Sequence, residues 1–361
     1  VYEPGSTMKT IFLAGALGRH VVEPNTVFDT SKGEIEIDKH IIRESDTNHR
    51  FPQLTTSEIL AVSSNVGMSQ ISLKMKSEDV YEDLKKFGFG EKTGLDIAGE
   101  SKGIFPPPPW RDHLKANISF GHGVAVTALQ MANAYCAIAD GGILHKPFIV
   151  NKKRGINGLI SVNKAEEVRR VLTPKEAERL KMMLIEATGD KGTGKAARVK
   201  GFPVAGKTGT AQKVDPKGGG YYKGQYVSSF IGFLPANDPE FLIYVVVDNP
   251  KKHGFYGAEA AAPAFSHIAQ YAINKKGLVP VTITADDLVK PESVAHEAPQ
   301  VVDDSAVIPN MEGWTLRETL RYMKTNNIDM KITGGKGRVV RTTPSAGQEW
   351  PADKALRVYV E

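Results

Sequence analysis

Eight consecutive residues near the start of the chain, Thr10-Ile11-Phe12-Leu13-Ala14-Gly15-Ala16-Leu17, are apolar nearly throughout. A helix with no polar face has to be wrapped on all sides by the rest of a domain. Pro4 and Gly5 punctuate the backbone just before it, so Ser6 is expected at the start of a buried helix. Ser6 and Lys9 are three residues apart and share one face of that helix. The pair suits a nucleophile and its base. A serine hydroxyl attacks only when something takes its proton, and a lysine takes it only if burial or nearby positive charge keeps the amine neutral. The positive end of the helix dipole favours both changes. An N-cap serine followed by an exposed lysine would read the same way, and Ser161 and Lys164 repeat the spacing.

A chain of 361 residues, 41% apolar and 24% charged, has enough material for a sizeable core and more than one domain. The net charge of +5 comes with no arginine-rich run and no nucleic-acid motif, so no nucleic-acid partner is expected. A single cysteine, Cys136, excludes an internal disulfide and a multi-cysteine metal site, and its apolar helical surroundings predict a buried thiol. No metal and no cofactor are expected. No apolar run approaches the ~20 residues that span a bilayer.

In chain order, residues 21–51 form a polar excursion with strand-like alternation at Ile35, Ile37 and Ile41. Residues 55–76 return to helix, interrupted at Ser63-Ser64-Asn65, where small polar side chains can point into a cleft. A short helix over 80–89, a stiff segment at 106–109 and a helix over 127–139 follow, the last preceded by Ser119-Phe120-Gly121-His122-Gly123. His122 there can line a cleft or be structural. A charged helix is expected after Asn163, 173–187 is expected to be a capped helix with Pro174 in its first turn, and 189–194 a mobile loop. Strand-like runs at 201–212, 226–234 and 241–248 come next, then an Ala-rich helix over 258–276. Six residues join the last two strands, so these must be antiparallel, because a parallel return needs a crossover of roughly a dozen. Residues 279–304 read as a linker. Beyond it, Thr315 and Glu318 suggest a capping box, Leu316, Leu320 and Met323 a helical face, Gly334 to Gly337 a turn, and Ile328, Met330, Ile332, Val339-Val340 and Leu356-Val358-Val360 strands.

Gly201-Phe-Pro-Val-Ala-Gly206-Lys207-Thr208 fits the phosphate-loop pattern. A phosphate loop must open a helix, however, and Gly209, Pro216 and Gly218-Gly219-Gly220 leave no place for one. The alternative takes Lys207-Thr208-Gly209-Thr210 as an edge strand beside Ser6. Lys207 would supply a fixed charge, the threonine hydroxyls would hold a substrate carboxylate, and Gly209 would let an acyl group approach the backbone. The N–H groups of Ser6 and Thr210 would form an oxyanion hole. Lys92-Thr93-Gly94 repeats the tripeptide in a turn.

Ser6-x-x-Lys9, Ser63-x-Asn65 and Lys207-Thr208-Gly209 follow one another in the order of the established motif set of penicillin-binding proteins and serine β-lactamases. Ser161-Val162-Asn163 also fits the middle motif, but order and context select Ser63. The chain resembles the transpeptidase domain of class B penicillin-binding proteins of the division and sporulation type. Tyr2 to Lys9, Phe120 to Val124, Thr127 to Met131, Ser228 to Pro235 and Ala260 to Phe265 carry the likeness, and residues from about 308 to 361 resemble a PASTA domain. The resemblance implies a multi-domain α/β-type protein: an antiparallel sheet flanked by helices with a helical subdomain (1–278), the linker (279–304) and a small α+β PASTA domain (305–361).

By the same resemblance, the activity is crosslinking of peptidoglycan stem peptides through a serine acyl-enzyme, with β-lactams acylating the same serine. Ser6 would be the nucleophile and Lys9 its base. Ser63 would relay a proton, Asn65 orient the donor amide, and Lys207 set the field around Ser63. Thr208, Gly209 and Thr210 would bind substrate, and the backbone of Ser6 and Thr210 would hold the oxyanion. Implied partners are a glycan polymerase and wall-synthesis or division membrane proteins, at the extracytoplasmic face of the cell membrane. Family members begin this domain well before the nucleophile. The chain is therefore expected to lack the first strands and the membrane anchor, and to leave an exposed sheet edge along 241–248. The alternatives are a serine β-lactamase and a non-catalytic module that senses β-lactam or peptidoglycan.

Overall fold

The computed structural model describes residues 1–45, 51–155, 160–215, 217–252, 254–279, 307–315, 319, 322, 326, 328–333, 338–351 and 355–360. The chain divides into two compact units, Val1–Thr284 and Ala285–Glu361.

A 3-10 turn, Gly5–Thr7, leads into helix α1 (Met8–Gly18), whose residues 8–17 are all buried, as the unbroken apolar pattern requires. Burying each large side chain stabilises by ~1.5–3 kcal/mol. Ile11, Phe12, Leu13 and Leu17 join the largest core cluster together with Ile59, Met68, Met131, Tyr135 and Leu184. Tyr135 also ties the helix start by a polar contact, its hydroxyl lying 2.8 Å from Thr7 O and 2.7 Å from Thr10 Oγ1.

The polar excursion holds strands β1 (Val27–Asp29), β2 (Glu34–Ile37), β3 (His40–Arg43) and β4 (Gln53–Thr55), with β1 paired to β4 and β2 to β3, both antiparallel. Thr55 and Glu58 form a capping box for α2 (Thr56–Val62), which stops at Ser63 in the left-handed region (φ 65°) before Ser64 caps α3 (Asn65–Leu73). Helices α4 (Ser77–Lys86), α5 (Asp112–Ser119) and α6 (Ala128–Ala139) follow. The eight-residue α5, packed on α3, was not anticipated, because its short pattern follows a proline run.

Strands β5 (Ile143–Lys146), β6 (Lys152–Arg154), β7 (Ile160–Val162) and β8 (Glu166–Arg170) pair antiparallel as β5 with β8 and β6 with β7. Where a charged helix was expected after Asn163, the chain runs into strand β8 instead, so Ser161 and Lys164 share no helix face. Cys136 is exposed, not buried: α6 turns Met131, Ala134, Tyr135 and Ile138 inward and carries the thiol on its outer side.

Helix α7 (Pro174–Ala187) begins with a Thr173–Glu176 capping box and Pro174 in its first turn. The main sheet then forms from β9 (Ala205–Val214), β10 (Tyr221–Leu234) and β11 (Phe241–Asp248), in the order β11-β10-β9 and antiparallel throughout, as the short connection demanded. Helices α8 (Gly257–Ala260) and α9 (Ala262–Lys276) close the unit. Along β11, Phe241, Ile243, Val245 and Val247 pack on the cluster of Phe265 and Ala269, while Leu242 and Tyr244 pack on the α1 side. Among the described residues its strand partner is β10 alone, so the other edge is unpaired.

The second unit is built on a sheet of β12 (Asp329–Thr333), β13 (Val339–Thr343) and β14 (Ala355–Val360), with β14 central, parallel to β12 and antiparallel to β13. Ile308, Met311, Val339, Leu356, Val358 and Val360 form its core. The expected linker from 280 onward, Glu318, Leu316, Leu320, Met323 and the 334–337 turn lie outside the described residues.

Candidate active site

The first unit encloses a cavity of about 680 Å³ whose walls include Ser6, Ser63, Asn65, His122, Thr208 and Thr210. These residues come from four distant parts of the chain. The 3-10 turn presents Ser6, the break between α2 and α3 presents Ser63 and Asn65, the loop before α6 presents His122, and β9 presents Thr208 and Thr210.

Lys9 lies beneath the cavity, fully buried. Its Nζ contacts Ser63 O at 2.6 Å, Asn65 Oδ1 at 2.8 Å and Ser63 Oγ at 3.2 Å. Two of these are pure acceptors and take two N–H bonds. A neutral amine then keeps its lone pair for a hydroxyl. Burial pushes the Lys9 pKa down to about 7, with the Glu44 carboxylate pulling the other way.

The motif around Ser63 is held by groups the sequence did not single out. Glu44, just past β3, accepts from Ser64 Oγ at 2.5 Å and from Asn65 N at 2.6 Å. Asn65 Nδ2 donates to Arg43 O at 3.1 Å, which orients its Oδ1 toward Lys9.

On β9, side chains alternate. Thr208 and Thr210 face the cavity, and Thr210 Oγ1 accepts from Gly257 N at 2.9 Å, which leaves its O–H free to donate. Gly209 points the other way. A Cβ there would lie 2.5 Å from Ser229 Oγ, 2.9 Å from Thr7 Cγ2 and 3.0 Å from Pro4 O. The glycine is required so that β9 can press against the nucleophile turn. This differs from the expected reason, room for an acyl group. Lys207 is fully buried, with Nζ 3.3 Å from both Thr208 O and Thr208 Oγ1. Burial and the neighbouring Lys9 charge push its pKa well down. Residues 205–214 are all strand, so Lys207 opens no helix and the phosphate-loop reading fails. Lys92-Thr93-Gly94 is bound to the Glu100 carboxylate and does not line the cavity.

Three further parts complete the cavity, of which the sequence offered only His122 as a cleft residue. The segment expected to be mobile is tied down: Thr193 N donates to Ala61 O at 3.1 Å, Gly194 N to Ala187 O at 2.8 Å, and Thr193 Oγ1 lies 2.7 Å from Thr208 Oγ1. His122 Nε2 is buried and has no hydrogen-bond partner among the described residues. Burial and Lys9 push the His122 pKa down to about 4, so the ring is neutral at physiological pH. Tyr226 stacks on Phe255 at 4.3 Å between ring centroids, and both line the cavity. The flanking glycines of His122 were the one visible signal, since only a tight turn brings that residue to the wall.

Residues 1–270 match the penicillin binding protein transpeptidase domain family, and residues 306–361 match the PASTA domain family. Stage V sporulation protein D of Bacillus subtilis is 33% identical over 364 residues, covering 99% of this chain and 54% of that protein. Peptidoglycan D,D-transpeptidase FtsI of Escherichia coli is 34% identical over 289 residues, covering 80% of this chain and 46% of that protein. The chain thus spans about half the length of the curated relatives it matches. Among solved structures, the transpeptidase domain of Burkholderia pseudomallei penicillin-binding protein 3 aligns with a TM-score of 0.70 and 31% identity, covering 78% of this chain and 82% of that one. Penicillin-binding protein 3 of Mycobacterium tuberculosis complexed with ampicillin aligns with a TM-score of 0.72 and 31% identity, covering 80% and 65%.

Proposed function

The chain belongs to the penicillin-binding protein transpeptidase family, and from that membership we propose that it is a serine D,D-transpeptidase that crosslinks peptidoglycan stem peptides. The observation that carries this reading is the Lys9 amine bridging Ser63 and Asn65 beneath the cavity that Ser6 lines. Residues 1–278 are the catalytic domain, 279–304 a linker and 305–361 a PASTA domain in this proposal.

Ser6 Oγ attacks the carbonyl carbon of the D-Ala-D-Ala peptide bond, and its proton passes to Lys9 Nζ. The N–H groups of Ser6 and Thr210 hold the oxyanion, an arrangement in which losing one donor typically costs on the order of a hundredfold in rate. As the C–N bond breaks, Ser63 delivers a proton to the leaving nitrogen and D-alanine departs. An amine of a second stem peptide then attacks the ester carbonyl, loses its proton to the same relay, and returns the Ser6 hydroxyl. Asn65 orients the donor amide. Thr208 and Thr210 hold the terminal carboxylate, and the buried Lys207 contributes field.

β-Lactams would acylate Ser6 by the same attack, the ring C–N bond taking the place of the peptide bond. The relative named for sporulation supports spore-wall synthesis, and the resemblance to division-type proteins adds septal synthesis, with a glycan polymerase and membrane-bound division proteins as partners at the extracytoplasmic face of the cell membrane. Among the described residues no helix is long and apolar enough to cross a membrane.

Incubation with a stem-peptide thioester and a D-amino acid acceptor is expected to give the acceptor-linked product, and the penicilloyl-enzyme is expected to persist for many turnover times. Rapid release of hydrolysed penicillin would identify a β-lactamase instead, and stable acylation without any turnover of the thioester would identify a sensor.

A further inference from the structure

Glu44 lies outside the three motifs, in a polar stretch 19 residues before Ser63. Its carboxylate nevertheless spans the turn that carries both cavity residues of that motif. One oxygen takes the Ser64 hydroxyl at 2.5 Å and the other the Asn65 backbone N–H at 2.6 Å. Asn65 is the first residue of α3, where an N–H has no partner within the helix and negative charge is favoured. Ser64 Oγ in turn accepts from Gly67 N at 2.9 Å, so the carboxylate, the hydroxyl and the helix start form one continuous cap.

The cap restrains a strained backbone. Ser63 sits at φ 65° without being glycine, a conformation that costs of order 1–3 kcal/mol and persists only when its surroundings fix it. The carbonyl and hydroxyl of this residue, with Asn65 Oδ1, are the three partners of Lys9 Nζ. Any slackening at Glu44 therefore reaches the lysine through a single residue.

Charge acts along the same line. The groups that face Lys9 are Lys207 from β9, His122 from the loop before α6, and Glu44 from the end of β3. Asp190, Lys191 and Glu259 line the cavity wall. Of the three that face it, the first two oppose a proton on Lys9 or are neutral, and the carboxylate favours one.

We propose that Glu44 is a positioning residue for the acylation step: it locks the Ser63–Asn65 turn onto Lys9 and sets a fixed negative charge one residue from that amine. The inference rests on the transpeptidase reading above. In the reaction, Lys9 must be neutral to accept the Ser6 proton and cationic once it has done so. A fixed anion beside it lets the amine bind that proton firmly within a site that burial would otherwise make too weak a base.

The test is the pH dependence of acylation by a fluorescent penicillin for the wild-type chain, Glu44→Gln and Glu44→Asp. Glutamine keeps the size and removes the charge; its carbonyl oxygen can still accept from Asn65 N–H, while its amide N–H must donate to Ser64 Oγ, which now accepts. Its ascending limb is expected to move to lower pH by about one unit, the size of a charge term across one intervening residue, with the alkaline plateau retained within several-fold. Aspartate keeps the charge and shortens the reach, so its limb is expected at the wild-type position with a lowered plateau. A purely structural cap predicts no shift in either variant, and an unshifted limb in Glu44→Gln would overturn the proposal. Loss of the plateau in Glu44→Gln would reduce the residue to a folding role and overturn it equally. A wild-type chain that is not acylated at any pH would be a different failure, that of the transpeptidase reading itself.

Discussion

Replacing Lys9 by methionine is expected to slow acylation by penicillin by ~100-fold to ~10,000-fold, the range that a positioned general base contributes. Methionine fills much the same volume in a fully buried position, so the loss is chemical rather than a cavity effect. It also leaves Ser63 O and Asn65 Oδ1 without their lysine donor, for which a stability loss of about 1–3 kcal/mol is expected in a denaturant titration. The wild-type rate should rise with pH through about 7, because the amine is protonated below that value and neutral above it. The variant should lack this limb. A Lys9→Met protein acylated at the wild-type rate, with the same pH profile, would remove Lys9 from the proton transfer.

The largest effect on the fold is expected from Gly121→Ala. Gly121 has φ +84°, and a Cβ there would lie 2.1 Å from Gly5 O and 2.6 Å from Gly5 N. Gly5 is itself at φ +57° and donates its N–H to Gly121 O at 3.2 Å, one residue before the nucleophile. The loop before α6 thus clamps the backbone of the Ser6 turn, and neither glycine has room to yield. A destabilisation of about 3 kcal/mol or more is expected from backbone strain and overlap together. If the turn shifts instead, acylation should fall by ~100-fold, since a displacement of about 1 Å at a reacting group costs that much. Gly277→Ala separates the two contributions. That glycine also has positive φ, at +68°, but a Cβ there meets nothing within 4 Å, so only the modest left-handed penalty of about 1 kcal/mol applies. Equal melting temperatures for the two variants would show that the Gly121 contact is not tight.

What could be read from the residues alone was local. The all-apolar run marks α1 as a buried helix, six residues between strands require an antiparallel pair, and Thr173-Pro174 marks the start of α7. The three motifs placed Ser6, Ser63, Asn65 and the β9 threonines, all of which line one cavity, with Lys9 and Lys207 buried beneath it. What escaped depends on contacts between distant segments. Glu44 is one acid among several in a polar region, and only the pairing of β2 with β3 brings it to the start of α3. Thr193 sits in a glycine-rich stretch whose composition suggests mobility, yet its bonds to Ala61 and Thr208 fix it. Gly209 in the sequence suggests space for a ligand, whereas the side it leaves open is filled by Ser229, Thr7 and Pro4. Exposure of Cys136 follows from which side of α6 meets α1, and the apolar character of the helix alone does not decide that.

Ser6 acting as the nucleophile at the meeting point of α1, the Ser63 turn and β9 is tested most directly by mass spectrometry of the chain after reaction with penicillin. One adduct of penicillin mass is expected, mapping to the peptide that contains Ser6 and absent from Ser6→Ala. An adduct that persists in Ser6→Ala, or that maps to Ser63 or to any other peptide, would contradict the account.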